Sequence, residues 1–96
     1  MEIKLQAIRF EPTEKLQDFV QKKVGKLEKF SDEIRKVEVS LKVVKPETAM
    51  NKEASIRVNV GTELYAEKVC DTFEEGVDLC LEALKKQLEK IKDKRK

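Results

Sequence analysis

Lys22, Lys23, Lys26 and Lys29 fall within eight residues, and Lys86, Lys90 and Lys94 recur at intervals of four near the other end of the sequence. An ammonium group on a four-carbon stem is a compact point charge, suited to meeting phosphate oxygens rather than to moving protons at neutral pH. The chemistry open to these residues is capture of a polyanion. Other chemistries lack their reagents. The 96 residues include no histidine, which removes Ser-His-Asp and Cys-His arrangements and the usual proton shuttle. Cys70 and Cys80 are too few for a disulfide scaffold and, without histidine, cannot close a four-coordinate zinc site. Each reads as a small buried thiol in a reducing compartment. Glu74 and Asp78 stand one helical turn apart, but acidic residues near a helix start already answer its dipole. No catalytic residue, metal, cofactor or small-molecule substrate is expected.

Whether the lysines form a surface depends on how the chain sorts its charges. The formal net charge is only +2. Residues 70–84, however, carry five acidic side chains and no basic one, whereas residues 85–96 carry seven basic and two acidic. A near-neutral total with separated signs points to a face that attracts polyanions. Charged residues make up 42% of the chain and aromatics 5%, a composition that folds only because its apolar residues are periodic. The length suits a single domain, spanning 1–96, that buries roughly 65% of its unfolded surface. No apolar stretch is long enough for a secretory signal or a membrane span, so a cytoplasmic location is expected.

The elements that must position the lysines follow from period. Ile3, Leu5 and Ala7 alternate with Glu2, Lys4 and Gln6, predicting a strand over 2–7. Pro12-Thr13 announces a helix with Thr13 as its N-cap, and the stripe Leu16, Phe19, Val20, Val24, Leu27, Phe30 predicts one helix over 14–30. Gly25 inside it costs up to ~1 kcal/mol relative to alanine. Strands are predicted over 37–43, 54–60 and 63–69, the last two joined by a tight turn at Gly61-Thr62, with a polar loop over 46–52. Thr72 and Glu75 match a capping box that opens a second helix of about twenty residues. The order is β-α-β-β-β-α, an α+β fold. A strand-helix-strand unit makes its strands parallel, and the three later strands form an antiparallel meander, so the sheet is four-stranded and mixed. Both helices should lie roughly parallel on one face, leaving Lys4, Glu38, Ser40, Lys42, Ser55, Arg57 and Asn59 to water on the other.

At about 100° per residue, Lys15, Lys22, Lys26 and Lys29 gather on one flank of the first helix, away from Glu14, Asp18 and Glu28. Lys86, Lys90 and Lys94 form a second stripe, while Lys85 and Lys92 lie nearer the core edge, where their stems can snorkel. Like charges at these spacings each cost a helix a few tenths of a kcal/mol, so a surface selected for stability alone would mix the signs. With parallel helices, one stripe should line the groove between them and the other the outer shoulder. RNA is favoured over DNA because nothing resembles a recognition helix for the major groove. With Tyr65 the only tyrosine, contact would be to phosphates and shape.

Four segments carry a resemblance in their order and spacing: Pro-Thr-Glu-Lys-Leu-Gln-Asp-Phe-Val at 12–20, Lys-Leu-Glu-Lys-Phe at 26–30, Val-Glu-Val-Ser-Leu-Lys-Val at 37–43, and Leu-Lys-Lys-Gln-Leu-Glu-Lys-Ile-Lys-Asp-Lys at 84–94. Together they resemble the short form of the ribosome hibernation-promoting factor and ribosome-associated translation inhibitor family, also called the sigma-54 modulation protein family. The resemblance implies a β-α-β-β-β-α fold similar to a double-stranded-RNA-binding domain. It also implies a monomeric cytoplasmic translation inhibitor whose partners are the small ribosomal subunit and its rRNA. Such a protein occupies the mRNA and tRNA channel and silences ribosomes under starvation stress. Family RNA contacts carry over to Lys22 or Lys23, Lys26, Lys29, Lys86, Lys90 and Lys94. Two departures from the family pattern stand out: Ala83 stands where a basic residue is common, and Thr72-Phe73-Glu74 stands for Asp-Met-Tyr. The C-terminal dimerisation domain of long-form members is not expected. The rival reading is a protein-protein adaptor module using the acidic start of the second helix and Leu79, which falls off its apolar stripe.

Overall fold

Alternation at period two becomes a sheet whose rows are chemically uniform. The strands are β1 (Glu2–Ile8), β2 (Lys36–Val43), β3 (Lys52–Asn59) and β4 (Glu63–Cys70), and the helices are α1 (Glu14–Gly25), α2 (Leu27–Phe30) and α3 (Phe73–Lys94). The computed structural model describes residues 1–44 and 50–94, with 92–94 as backbone alone. The polar loop expected over 46–52 therefore falls largely outside the described residues. The sheet order is β1-β2-β3-β4, with β1 parallel to β2 and the remaining pairs antiparallel, as the crossover and meander require. Ile3, Val37, Val58 and Leu64 align across all four strands, as do Leu5, Val39, Ile56 and Ala66. On the opposite face the rows read Lys4, Glu38, Arg57, Tyr65 and Gln6, Ser40, Ser55, Glu67.

The apolar rows are covered by the helices. Val20, Val24 and Leu27 are wholly buried, and so are Val77, Cys80 and Leu84 of α3. The starts of α1 and α3 are capped as their sequences dictate: the Leu16 N–H donates to the Thr13 hydroxyl at 3.1 Å, and the Glu75 N–H to the Thr72 hydroxyl at 3.1 Å. The hairpin between β3 and β4 turns at Gly61, whose φ of +94° favours glycine; its N–H donates to the Asn59 side chain at 3.0 Å.

The single helix expected over 14–30 is instead α1 and α2, joined at Lys26. Lys26 keeps right-handed dihedrals, but its N–H donates to the Lys23 carbonyl at 3.3 Å and its own carbonyl accepts from the Lys29 N–H at 3.2 Å. Both bonds have the three-residue spacing of a tightened 3₁₀ turn. Gly25, a poor helix former, sits at this junction. The apolar stripe passes through unbroken, since Val24 and Leu27 flank the turn and are both fully buried.

The helices run in the same direction. Lys23 meets Asp78, Lys26 shares a cleft with Glu82, and Phe30 shares the next hollow with Leu88 and Ile91, so both chains advance together. At its start α3 leans hard on β3, because a Cβ added to Gly76 would lie 3.0 Å from the Ala54 Cβ. The Cys80 thiol donates to the Ala54 carbonyl at 3.4 Å, and Phe73 stacks on Phe10 with ring centroids 4.7 Å apart. The second helix is thereby held at a defined height above the sheet.

Candidate nucleic-acid interface

Apolar stripes facing the sheet leave the hydrophilic sides of both helices to solvent, and there the lysines divide into groups. Lys22, Lys26 and Lys29 are exposed along α1, the tight turn and α2. No carboxylate stands within ion-pair distance of any of them among the described residues. Lys86 and Lys90 are likewise exposed and unpaired on α3 among the described residues. The Lys94 side chain lies outside the described residues, as do Arg95 and Lys96.

Lys23 behaves differently from the expectation of an open row. Its ammonium pairs with Asp78 of α3 at 3.4 Å and lies 5.6 Å from the centre of the Phe19 ring. That position is nearer the buried stripe of α1 than those of Lys22 and Lys29, so the side chain reaches sideways to the neighbouring helix. The cleft there is lined by Lys23, Lys26, Asp78, Leu81, Glu82 and Lys85. Helical periodicity on α1 alone could not reveal Asp78 as a partner, because the register between the helices is set by packing. Lys85, assigned to the core edge by the same periodicity, is exposed and contributes a wall of this cleft.

Lys86 and Lys90 stand outside the cleft. The adjacent Gln87 side chain donates to the Tyr65 carbonyl of β4 at 3.1 Å, which fixes that flank of α3 as the one turned away from α1. The helical layer thus carries one lysine row over α1 and α2 and another over the outer part of α3, with a mixed cleft between them.

The other face of the molecule pairs several of its charges. Lys36 pairs with Glu38 at 3.2 Å and with Glu2 at 3.9 Å. Arg57 pairs with Glu63 at 3.0 Å and lies over the Tyr65 ring, and the Tyr65 hydroxyl donates to Glu67 at 2.7 Å. That hydrogen bond, followed by one from Glu53, holds the Glu67 carboxyl below its ordinary range. Desolvation, followed by the hydrogen bond with Glu67, pushes Glu53 up. Inside, Cys70 and Cys80 are free and buried; desolvation pushes the Cys80 thiol up to about 11, which keeps it neutral and unreactive.

A two-layer α+β domain with a mixed four-stranded sheet and a lysine-studded helical layer is the class that fold and surface define. Residues 3–96 match the Sigma 54 modulation protein / S30EA ribosomal protein family, and the chain belongs to it. It is 35% identical over 96 residues to the ribosome hibernation promoting factor of Escherichia coli K12, covering all of this chain and 98% of the relative. The factor of the same name from Azotobacter vinelandii is 30% identical over 94 residues, 98% of this chain and 85% of the relative. Among solved structures, a ribosomal subunit interface protein from Coxiella burnetii superposes with a TM-score of 0.81 at 23% identity, over 97% of this chain and 99% of that one. The Thermus thermophilus Protein Y N-terminal domain does so with 0.78 at 25% identity, over 95% and 99% respectively. No helix among the described residues is long and apolar enough to cross a membrane.

Proposed function

We propose that this protein is a ribosome-binding hibernation factor that lodges in the mRNA and tRNA channel of the small subunit and blocks translation by occupancy. The observation that carries the reading is the set of exposed lysines, Lys22, Lys26, Lys29, Lys86 and Lys90, left without carboxylates on one layer of the molecule. The names of its relatives, ribosome hibernation promoting factors, supply the partner. Small-subunit rRNA offers the phosphates, and the two lysine rows meet them as point charges, with Lys94 a further candidate by its sequence spacing alone.

The action needs no bond to form or break. A basic wedge on a rigid two-layer scaffold neutralises phosphates, releases their counterions and excludes the ligands of decoding. About six phosphate contacts would make affinity fall roughly a thousandfold between about 50 and 200 mM salt. Co-sedimentation with isolated small subunits over that salt range tests the reading. Binding that ignores salt, or a protein that stays at the top of a sucrose gradient loaded with ribosomes, would refute it. Recovery of a partner from nuclease-treated lysate but none from intact ribosomes would favour the adaptor reading instead.

A further inference from the structure

The cleft between α1 and α3 contains two acidic residues that the local helix does not explain. Glu74 and Glu75 occupy the first turn of α3 and meet its dipole; that effect fades beyond the first turn, and Asp78 and Glu82 come later. Both line the cleft beside Lys23, Lys26 and Lys85. Asp78 pairs with Lys23, each side chain close to half exposed, and a pair of that exposure adds little stability. Glu82 is exposed and has no cation within ion-pair distance among the described residues. Glu89, seven residues further on and also exposed, continues the strip at helical spacing. A strip of mixed sign, with Asp78, Glu82 and Glu89 set among Lys23 and Lys85, therefore runs between the row of Lys22, Lys26 and Lys29 and the row of Lys86 and Lys90.

Resting on the reading of this surface as an RNA contact, we infer that Asp78 and Glu82 are selectivity residues. Their carboxylates offset Lys23, Lys26 and Lys85 and so weaken the hold of the cleft on phosphate. The surface then accepts RNA folded so that separate backbone segments lie on the two lysine rows, and discriminates against a flexible strand that would settle between the helices. Discrimination requires repulsion built against the wrong partner as well as attraction to the right one. The repulsion is short-ranged: at physiological salt it decays over a Debye length of about 8 Å. A phosphate in the cleft feels it strongly, and one on the far shoulder of α3 feels much less. Asp78 has a second effect of the same sign, because its bond to Lys23 takes that ammonium out of competition for phosphate.

The test measures binding of the full chain, at one fixed salt concentration, to isolated small subunits and to poly(U) as the flexible strand. The variants are Glu82→Gln, Asp78→Asn with Glu82→Gln, and Lys26→Glu with Lys90→Glu. Removing both cleft carboxylates should tighten poly(U) binding about three- to tenfold while changing small-subunit affinity by less than about twofold. Glu82→Gln alone should move poly(U) in the same direction. Since Glu82 tethers no lysine among the described residues, that shift would separate the field of the strip from release of Lys23. If the lysine reversals weaken binding to both RNAs but the carboxylate variants tighten neither, or tighten both equally, the selectivity role is overturned and the RNA contact stands. If the lysine reversals leave both RNAs unaffected, the RNA contact itself is wrong and the selectivity role falls with it.

Discussion

The two broad faces of this domain handle charge differently. On the open sheet face, Lys36 lies between Glu2 and Glu38, Arg57 holds Glu63, and Tyr65 donates to Glu67. On the helical face, Lys22, Lys26, Lys29, Lys86 and Lys90 have no such partner among the described residues. Exposed pairs contribute ~0–1 kcal/mol each, and like charges one turn apart on a helix cost a few tenths of a kcal/mol. Neither face is therefore explained by a large gain in stability. The sheet face thus pairs several of its charges internally, although Lys4 and Lys42 there make no ion pair among the described residues, whereas the helical face leaves two rows of lysines open, as the proposed polyanion contact requires.

The largest expected effect breaks the contrast at its basic side. Reversing Lys26 and Lys90 together to glutamate should weaken small-subunit binding by about a hundredfold at physiological salt, measured by co-sedimentation, with little change in melting temperature. Next comes the scaffold that sets the height of α3. Gly76→Ala forces a Cβ to within 3.0 Å of the Ala54 Cβ, and overpacking of this kind costs ~1–3 kcal/mol, read from denaturant unfolding. Gly25→Ala is the opposite case within the same layer: an added Cβ there meets nothing within 4 Å. It should stabilise the protein by up to ~1 kcal/mol.

Neutralising the sheet face gives the matched control. Lys36→Gln with Arg57→Gln should lower stability by at most ~1 kcal/mol per pair and leave ribosome binding unchanged. The smallest effect concerns Glu53, whose raised pKa means that ionisation opposes folding as pH climbs through its folded value. Glu53→Gln should slightly raise the melting temperature at about pH 7 and give no gain near pH 3, where the carboxyl is almost wholly protonated in both states. Glu67, held down, works with the opposite sign: its contribution is present above its unfolded pKa and lost as pH falls through the folded one.

Much of this was legible in the sequence because period is a local property. The alternation of Val37, Val39 and Leu41 with Glu38, Ser40 and Lys42 settles which side of β2 is covered, and the pairing follows from chain order. Thr13 and Thr72 marked the helix starts that they cap. The break at Lys26 escaped because an apolar stripe tolerates one 3₁₀ turn without losing phase, leaving Gly25 as the only trace. Exposure of Lys22, Lys26, Lys29, Lys86 and Lys90 was also readable, since it depends on each helix separately. The Lys23–Asp78 bond and the place of Lys85 in the cleft were not, because they depend on how far one helix is slid along the other. That offset is decided by contacts such as Gly76 on Ala54 and Phe73 on Phe10, which join residues far apart in the chain.

The most direct test is the slope of log affinity for isolated small subunits against log salt concentration. With about six phosphates neutralised, the slope should lie near −4 to −5, and Lys26→Gln with Lys90→Gln should flatten it by about two units, while the sheet-face double variant leaves it unchanged. A slope near zero, or equal flattening by helix-face and sheet-face variants, would contradict the assignment of ribosomal phosphate to the unpaired lysines.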